Sequence, residues 1–298
     1  MKPTEMKAVV REGGLARITR VPRPVAPAGW VRLRVLLAGI CRTDLYAADG
    51  ALPVADGRIL GHELVGELDG GGRATVSPIL PCATCAACRT GQRCVSPSLL
   101  GVGVDGAFAE YLVVPEVCVH RVPEGLSLRR AAYVEPVAAS LAVVRAPIAP
   151  GQRGLVLGHG RITSLTARIL AARGYSHLTT CCVEAPVEEG AFDFVVETAA
   201  TAEVLDAALR AVRPGGVVVL KSRPPHRTPL DVARAVQKDV TLAAVSYASF
   251  EESIALLAEL PVDDLLGDSY PLERFDAAFA RAREPGAPKI FLSLEGGA

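Results

Sequence analysis

Two rhythms of apolar residues divide the chain. Up to about residue 122, short apolar, β-prone runs are punctuated by Gly and Pro: MKAVV (6–10), LARITRV (15–21), WVRLRVLLAGI (30–40), FAEYLVV (108–114) and VCVHRV (117–122). Such runs predict strands. SLRRAAYVEPVAASLAVVRA (127–146) predicts a helix with Ser127 as N-cap and Pro147 just past its end; Pro136 inside it predicts a kink or break. The rhythm then changes to strands alternating with helices. GLVLG (154–158), HLTTCCV (177–183), FDFVVET (192–198) and GVVVLKS (216–222) read as strands. ITSLTARILAARG, stopped by Gly174, and TAEVLDAALRAVRPGG, closed by Pro-Gly-Gly, read as helices between them. That alternation predicts a parallel α/β sheet. The tail from FEESIALLAEL to PKIFLSL reads as helix, helix, strand. The expected division is a β-rich domain of residues 1–146 and 248–298 and an α/β domain of residues 147–247, with a cleft between them.

Composition narrows the class. The chain has 298 residues, half of them apolar, enough for two domains with sizeable cores. Lys and Arg number 32 against 32 Asp and Glu, interspersed without long runs, so neither nucleic acid nor an anionic membrane is an expected partner. MKPTEMKAVVREGG has no apolar core of a signal peptide, and no stretch reaches the eighteen or so apolar residues of a membrane span. A cytoplasmic protein acting on a small molecule is the expectation. Eight cysteines in a chain of this kind point to metal rather than disulfides.

Four of them, Cys82, Cys85, Cys88 and Cys94, stand as C-x2-C-x2-C-x5-C. Thiolates this close can complete a tetrahedral shell at Zn–S distances of about 2.3 Å. The loop has little that could pack a core, so a metal would order it. Free cysteines and an iron–sulfur cluster are the alternatives, the latter with different usual spacings. Structural zinc fits best.

GHE at Gly61–Glu63 followed by this lobe resembles the zinc-type medium-chain dehydrogenase/reductase family, whose lobe runs C-x2-C-x2-C-x7-C; the last interval here is two residues shorter. The resemblance covers Met6 to Leu294 and implies a GroES-like β-rich catalytic domain with the lobe at 82–94, joined to a Rossmann cofactor domain. AGICRTDLYAADG (38–50) resembles the segment carrying the family's first catalytic zinc ligand. By that resemblance Cys41 and His62 are zinc ligands and Glu135 of VEP is the third, leaving one position for water or substrate oxygen. Glu63 sits beside the metal and can replace the water transiently. Thr43 relays the proton of the substrate hydroxyl, and Tyr46 stands where relatives often have a relay histidine. Asp44 accepts from the far nitrogen of His62 and fixes its tautomer. The implied complement is two Zn2+ per chain and NAD(H) or NADP(H), in a homodimer or homotetramer. Singly, Cys41 reads as a core thiol, His62 as a loop histidine and Glu135 as a surface carboxylate; the set in family order carries the assignment.

The cofactor domain departs from the pattern. Gly158 and Gly160, flanking His159, match the first two glycines of G-x-G-x-x-G, but the third is Thr163, which compromises close packing of helix on strand. The ribose-binding acid is expected at Cys182, with Glu184 two residues later as the substitute. Arg42 is expected to reach the pyrophosphate. Only EAPVEEGA joins HLTTCCV to FDFVVET, too little for the helix–strand–helix of relatives, so the third sheet strand and its flanking helices read as deleted. Lys221, Arg223, His226 and Arg227 cluster in KSRPPHR, either a solvated loop or a phosphate site.

Three functions remain open on the sequence. The first is a zinc-dependent alcohol dehydrogenase or carbonyl reductase. The second is a reductase of an activated double bond such as an enoyl thioester. The third is a non-catalytic zinc-stabilised binding protein with a degenerate cofactor site.

Overall fold

The computed structural model describes residues 4–182 and 185–294. The strands, in chain order, are β1 (Glu5–Glu12), β2 (Leu15–Pro22), β3 (Trp30–Gly39), β4 (Glu63–Leu68), β5 (Arg73–Val76), β6 (Ile79–Leu80), β7 (Ser98–Leu99), β8 (Tyr111–Pro115), β9 (Val119–Arg121), β10 (Gly154–Leu157), β11 (Leu178–Cys181), β12 (Phe192–Glu197), β13 (Val212–Leu220), β14 (Thr241–Ala244), β15 (Leu266–Pro271) and β16 (Lys289–Ser293). The helices are α1 (Arg42–Ala48), α2 (Ala86–Arg89), α3 (Leu128–Ala132), α4 (Val134–Leu141), α5 (Arg161–Ala172), α6 (Ala202–Ala211), α7 (Val232–Gln237), α8 (Phe250–Glu259) and α9 (Phe275–Arg283). The chain divides into two compact units, Met1–Glu135 with Leu266–Ala298, and Pro136–Leu265.

The first unit is built on a mostly antiparallel seven-stranded sheet in the order β15-β16-β3-β4-β5-β9, with β8 also pairing with β3. Its core gathers Leu33, Val35, Ile40, Leu64, Leu100, Phe108, Phe279 and Ile290. β3 and β4 matter most for function. Their pairing ends at Gly39 opposite Glu63, so α1 and the GHE segment start from the same end of the sheet.

The second unit carries a five-stranded, all-parallel sheet in the order β11-β10-β12-β13-β14. Leu155, Leu157, Val195 and Val218 pack on one face with α6 residues Val204, Ala207 and Ala208. The alternate residues Val156, Phe194, Val196, Val217 and Val219 pack on the other with Leu170 of α5, Val143 and Tyr175. Both faces are covered, which is why these strands read as unbroken apolar runs. The expected deletion is present: β11 is an edge strand, and no strand or helix lies among the described residues between Cys181 and Phe192.

Some expectations are corrected. The helix of 127–146 is capped by Ser127, whose hydroxyl accepts from Arg130 N–H, but it breaks at Tyr133 rather than at Pro136. Pro136 falls in the first turn of α4, where an N–H has no intrahelical partner to lose. Helix α6 ends at Ala211, and β13 runs back through Pro214-Gly215-Gly216, where its register against β12 shifts. That irregularity is where a strand tolerates a residue without an N–H. The sequence reading had no α7, β14 or β15.

Candidate active site and cofactor turn

In the first unit the site is organised by the N-terminus of α1. Asp44 Oδ2 accepts the backbone N–H of Cys41 at 2.8 Å, and its Oδ1 lies 3.1 Å from His62 Nδ1. One buried carboxylate thus starts the helix and orients the imidazole, turning Nε2 towards whatever the other groups bind. Asp44 and His62 are 1% and 3% exposed. Cys41 Sγ is 3.7 Å from Thr43 Oγ1. Tyr46, one turn along α1, is half-buried, and Arg42 is exposed.

The ligand atoms of Cys41, His62 and Glu63 lie within 4.8 Å of one another. Glu135, buried in the first turn of α4, does not join that set. Both oxygens of Glu63 are already taken by Lys289 Nζ, at 2.6 and 2.5 Å, and the same ammonium donates to Ile40 O at 3.0 Å. Lys289 and Glu63 are each 1% exposed. Room for the carboxylate comes from Gly39, where a Cβ would collide with it. The sequence reading missed Lys289, 226 residues away from its partner.

The electrostatics ask for a cation. Burial disfavours a charged imidazole, yet the Asp44 carboxylate and the Cys41 thiolate outweigh it and hold His62 well above the ordinary histidine range. A divalent ion satisfies the same two anions without the ring proton. These residues fit zinc.

The lobe fits a second zinc. The sulfurs of Cys82, Cys85, Cys88 and Cys94 lie within 4.8 Å of one another. Backbone N–H groups of Cys82, Cys85 and Cys88 donate to Cys94, Cys82 and Cys85 sulfurs at 3.3–3.4 Å. Donation from around Thr84 and Cys85 lowers the Cys82 thiol to about 6, while burial and its neighbouring thiols push Cys88 up to about 12. Four sulfurs this close cannot all ionise without a cation among them. Cys85 is the N-cap of short helix α2, its Sγ accepting from Cys88 N–H, so the ligands themselves shape the loop.

In the second unit, β10 leads through Gly158, His159 and Gly160 into α5. Gly158 has φ +141° and Gly160 +85°, conformations that favour glycine. A Cβ on Gly160 would meet nothing within 4 Å, and no side chain caps α5, so its first amides are open to an anion. His159 is exposed. Cys182, after β11, is exposed, and Gly158 N–H donates to the carbonyl of Cys181. Glu184 lies outside the described residues. The backbone N–H groups of Lys221 and Ser222 donate to Glu197 Oε1, both at 2.7 Å, fastening the exit of β13 to β12. Arg223 donates to Tyr247 Oη and Ser246 Oγ at 2.9 Å, while His226 and Arg227 are exposed. Besides Lys289, the sequence reading passed over Glu197 and Thr198, whose roles depend on strands that are neighbours only in the fold.

A family model described as the alcohol dehydrogenase GroES-like domain matches residues 27–124. The L-threonine 3-dehydrogenase of Streptomyces coelicolor is 28% identical over 340 residues, covering 96% of this chain and 99% of that protein. The sorbitol dehydrogenase of Bacillus subtilis is 28% identical over 332 residues, covering 94% of each. Among solved structures, the alcohol dehydrogenase TADH from Thermus sp. ATN1 superposes with a TM-score of 0.83 at 28% identity, covering 97% of this chain and 99% of that one. Both alignments are longer than the 298-residue chain, so this chain is gapped against these relatives.

Proposed function

We propose that the chain, as a member of the zinc-type medium-chain dehydrogenase/reductase family, is a zinc-dependent oxidoreductase moving hydride between NAD(P)(H) and an alcohol or carbonyl substrate. The observation that carries this reading is the buried Asp44–His62 pair set against the Cys41 thiol with the Thr43 hydroxyl beside it. An oriented imidazole, a thiol and a hydroxyl in one place favour this reading over a double-bond reductase or a non-catalytic binder.

Cys41 and His62 would hold the ion, with the third ligand either Glu63, whose carboxylate stands with them and is held by Lys289, or Glu135. A zinc ion held there would supply polarisation of a carbonyl or a lowered alcohol pKa, and a bound nicotinamide would supply or accept the hydride. The protein's own groups do the rest. Asp44 keeps the imidazole in one tautomer, so that Nε2 is the ligand atom. Thr43 takes the proton of the substrate hydroxyl and passes it outward, with Tyr46 one helical turn further along the same face. Gly158, Gly160 and the first amides of α5 would receive the pyrophosphate. His159, Glu184 and Lys221 complete the candidates for nucleotide binding.

The same reading takes in a small-molecule substrate, a cytoplasmic location and a homodimer or homotetramer. Among the described residues no helix is long and apolar enough to cross a membrane. Exposed Leu242 on edge strand β14, with exposed Val232 and Val236 on α7, supports self-association.

The test is metal analysis of protein purified without chelator, followed by turnover of a panel of small alcohols, ketones and enoyl thioesters with NADH and NADPH. Two zinc equivalents and zinc-dependent turnover of an alcohol or ketone are expected. Turnover of enoyl thioesters alone, with one zinc, would move the chain to the double-bond reductases. Two zincs with no dinucleotide bound would make it a binding protein.

A further inference from the structure

Beneath the cofactor turn stand two hydroxyls. Thr163, at the place of the third glycine, is 4% exposed, and its Oγ1 lies 2.8 Å from Thr198 Oγ1. Thr198 in turn donates to the carbonyl of Leu157 at 3.1 Å. A hydroxyl has one proton, so with that of Thr198 directed to the carbonyl, Thr163 supplies the proton between the two. The bonds run one way, from α5 through the end of β12 to the last residue of β10. Both hydroxyls sit directly against Gly158: a Cβ there would collide with Thr198 Oγ1 and lie 3.2 Å from Thr163 Oγ1. The Thr198 N–H also donates to Leu157 O, at 2.9 Å.

We infer that Thr163 and Thr198 are a pair of positioning residues that lock the Gly158–Gly160 turn by a hydroxyl relay in place of the third glycine. A glycine at that position serves by letting helix and strand approach closely. Here the β-branched residue fills the gap, and its hydroxyl bridges what contact would otherwise hold. The space comes from Gly158, which is why the first glycine is kept where the third is not. The departure from the fingerprint is thus compensated, and putting glycine back removes a buried bond without restoring the packing that would replace it. The inference rests on the reading that this turn receives a dinucleotide pyrophosphate.

The experiment uses the full, zinc-loaded chain and four variants: Thr163→Gly, Thr163→Ser, Thr198→Val, and Thr163→Val combined with Thr198→Val. Amide hydrogen exchange of residues 158–164 is followed without nucleotide, and NADH and NADPH affinities are measured by calorimetry. Thr163→Gly and Thr198→Val should each speed exchange in the turn and weaken dinucleotide binding by about tenfold, the scale of one lost hydrogen bond. The double valine variant should be no worse than Thr198→Val alone, and Thr163→Ser, which keeps the hydroxyl, should behave as wild type. Exchange in β12 and β13 should not move, which separates a local lock from general destabilisation. Thr163→Gly binding as tightly as wild type, with no faster exchange, overturns the inference. Uniformly faster exchange across the sheet, without rescue by serine, overturns it too. If wild type binds neither dinucleotide while the turn still responds to the variants and serine rescues, the lock stands and the dinucleotide reading falls.

Discussion

The N-termini of α1 and α5 make an instructive pair. Each follows a strand, each opens a helix, and each holds a candidate functional group, yet only one keeps its family's residues. At α1, Cys41, Thr43 and Asp44 are all in place, whereas at α5 the third glycine has become Thr163 and the ribose acid Cys182. The difference follows from what does the chemistry. At α1 side chains do it, and Asp44 serves two partners at once, so no single residue can change without stranding another. At α5 the backbone does it. Amides at a helix N-terminus survive a change of side chain provided the turn keeps its shape. Side-chain sites hold their sequence, and backbone sites hold only their geometry.

Several substitutions break or sharpen that contrast. Cys85→Ser should have the largest effect, removing one of two zinc equivalents outright and loosening the lobe of 82–94, because a structural zinc contributes folding free energy. Metal analysis with thermal melting reads both, and a variant that retains two equivalents removes Cys85 from the ligand set. Next comes Lys289→Met, which leaves the Glu63 carboxylate buried and unpaired and should destabilise the protein by about 3–5 kcal/mol. Adding Glu63→Gln should recover most of that in urea unfolding.

Thr43→Val should lower turnover by about 10²-fold, roughly 2.7 kcal/mol of barrier, with zinc content unchanged. An unchanged rate on a verified alcohol takes Thr43 out of the relay. Asp44→Asn should weaken zinc at the Cys41–His62 site by about 10- to 100-fold in chelator competition, leaving the lobe's zinc in place. The smallest effect is expected on the backbone side. Without a ribose carboxylate nothing repels a 2′-phosphate, so NADH and NADPH should bind within about tenfold of each other, a difference under ~1.4 kcal/mol. Each should bind at high micromolar concentration or weaker, about 1.5–3 kcal/mol having gone with the charged hydrogen bond. Submicromolar, NAD-selective binding would give Glu184 the ribose role.

What could be read from the sequence, and what could not, follows the distance between partners. The cysteine lobe lies within thirteen consecutive residues, and the CRTD and GHE segments carry their own order, so both were legible. The missing sheet strand was legible as well, because a connection too short for a crossover is a local fact. Lys289 was not: its partner is 226 residues away, and in PKIFLSL it looks like any lysine at the start of a strand. Thr198 was hidden for the same reason, with Thr163 35 residues off. β14 escaped because TLAA is short and mostly exposed, with no alternation to mark it. Pro214-Gly215-Gly216 misled because these residues usually end a helix and here lie inside a strand.

The open edge of β11 has a consequence for engineering. β11 and β12 both pair with β10, from opposite sides, and residues 182–191 join β11 to β12 along the chain. A helix–strand–helix segment spliced into it would dock its strand on the free side of β11 and disturb no ladder that already exists. The connection is therefore a natural splice junction. A graft from a longer relative would show, in a single chimera, how much of the adenosine grip the extra strand supplies.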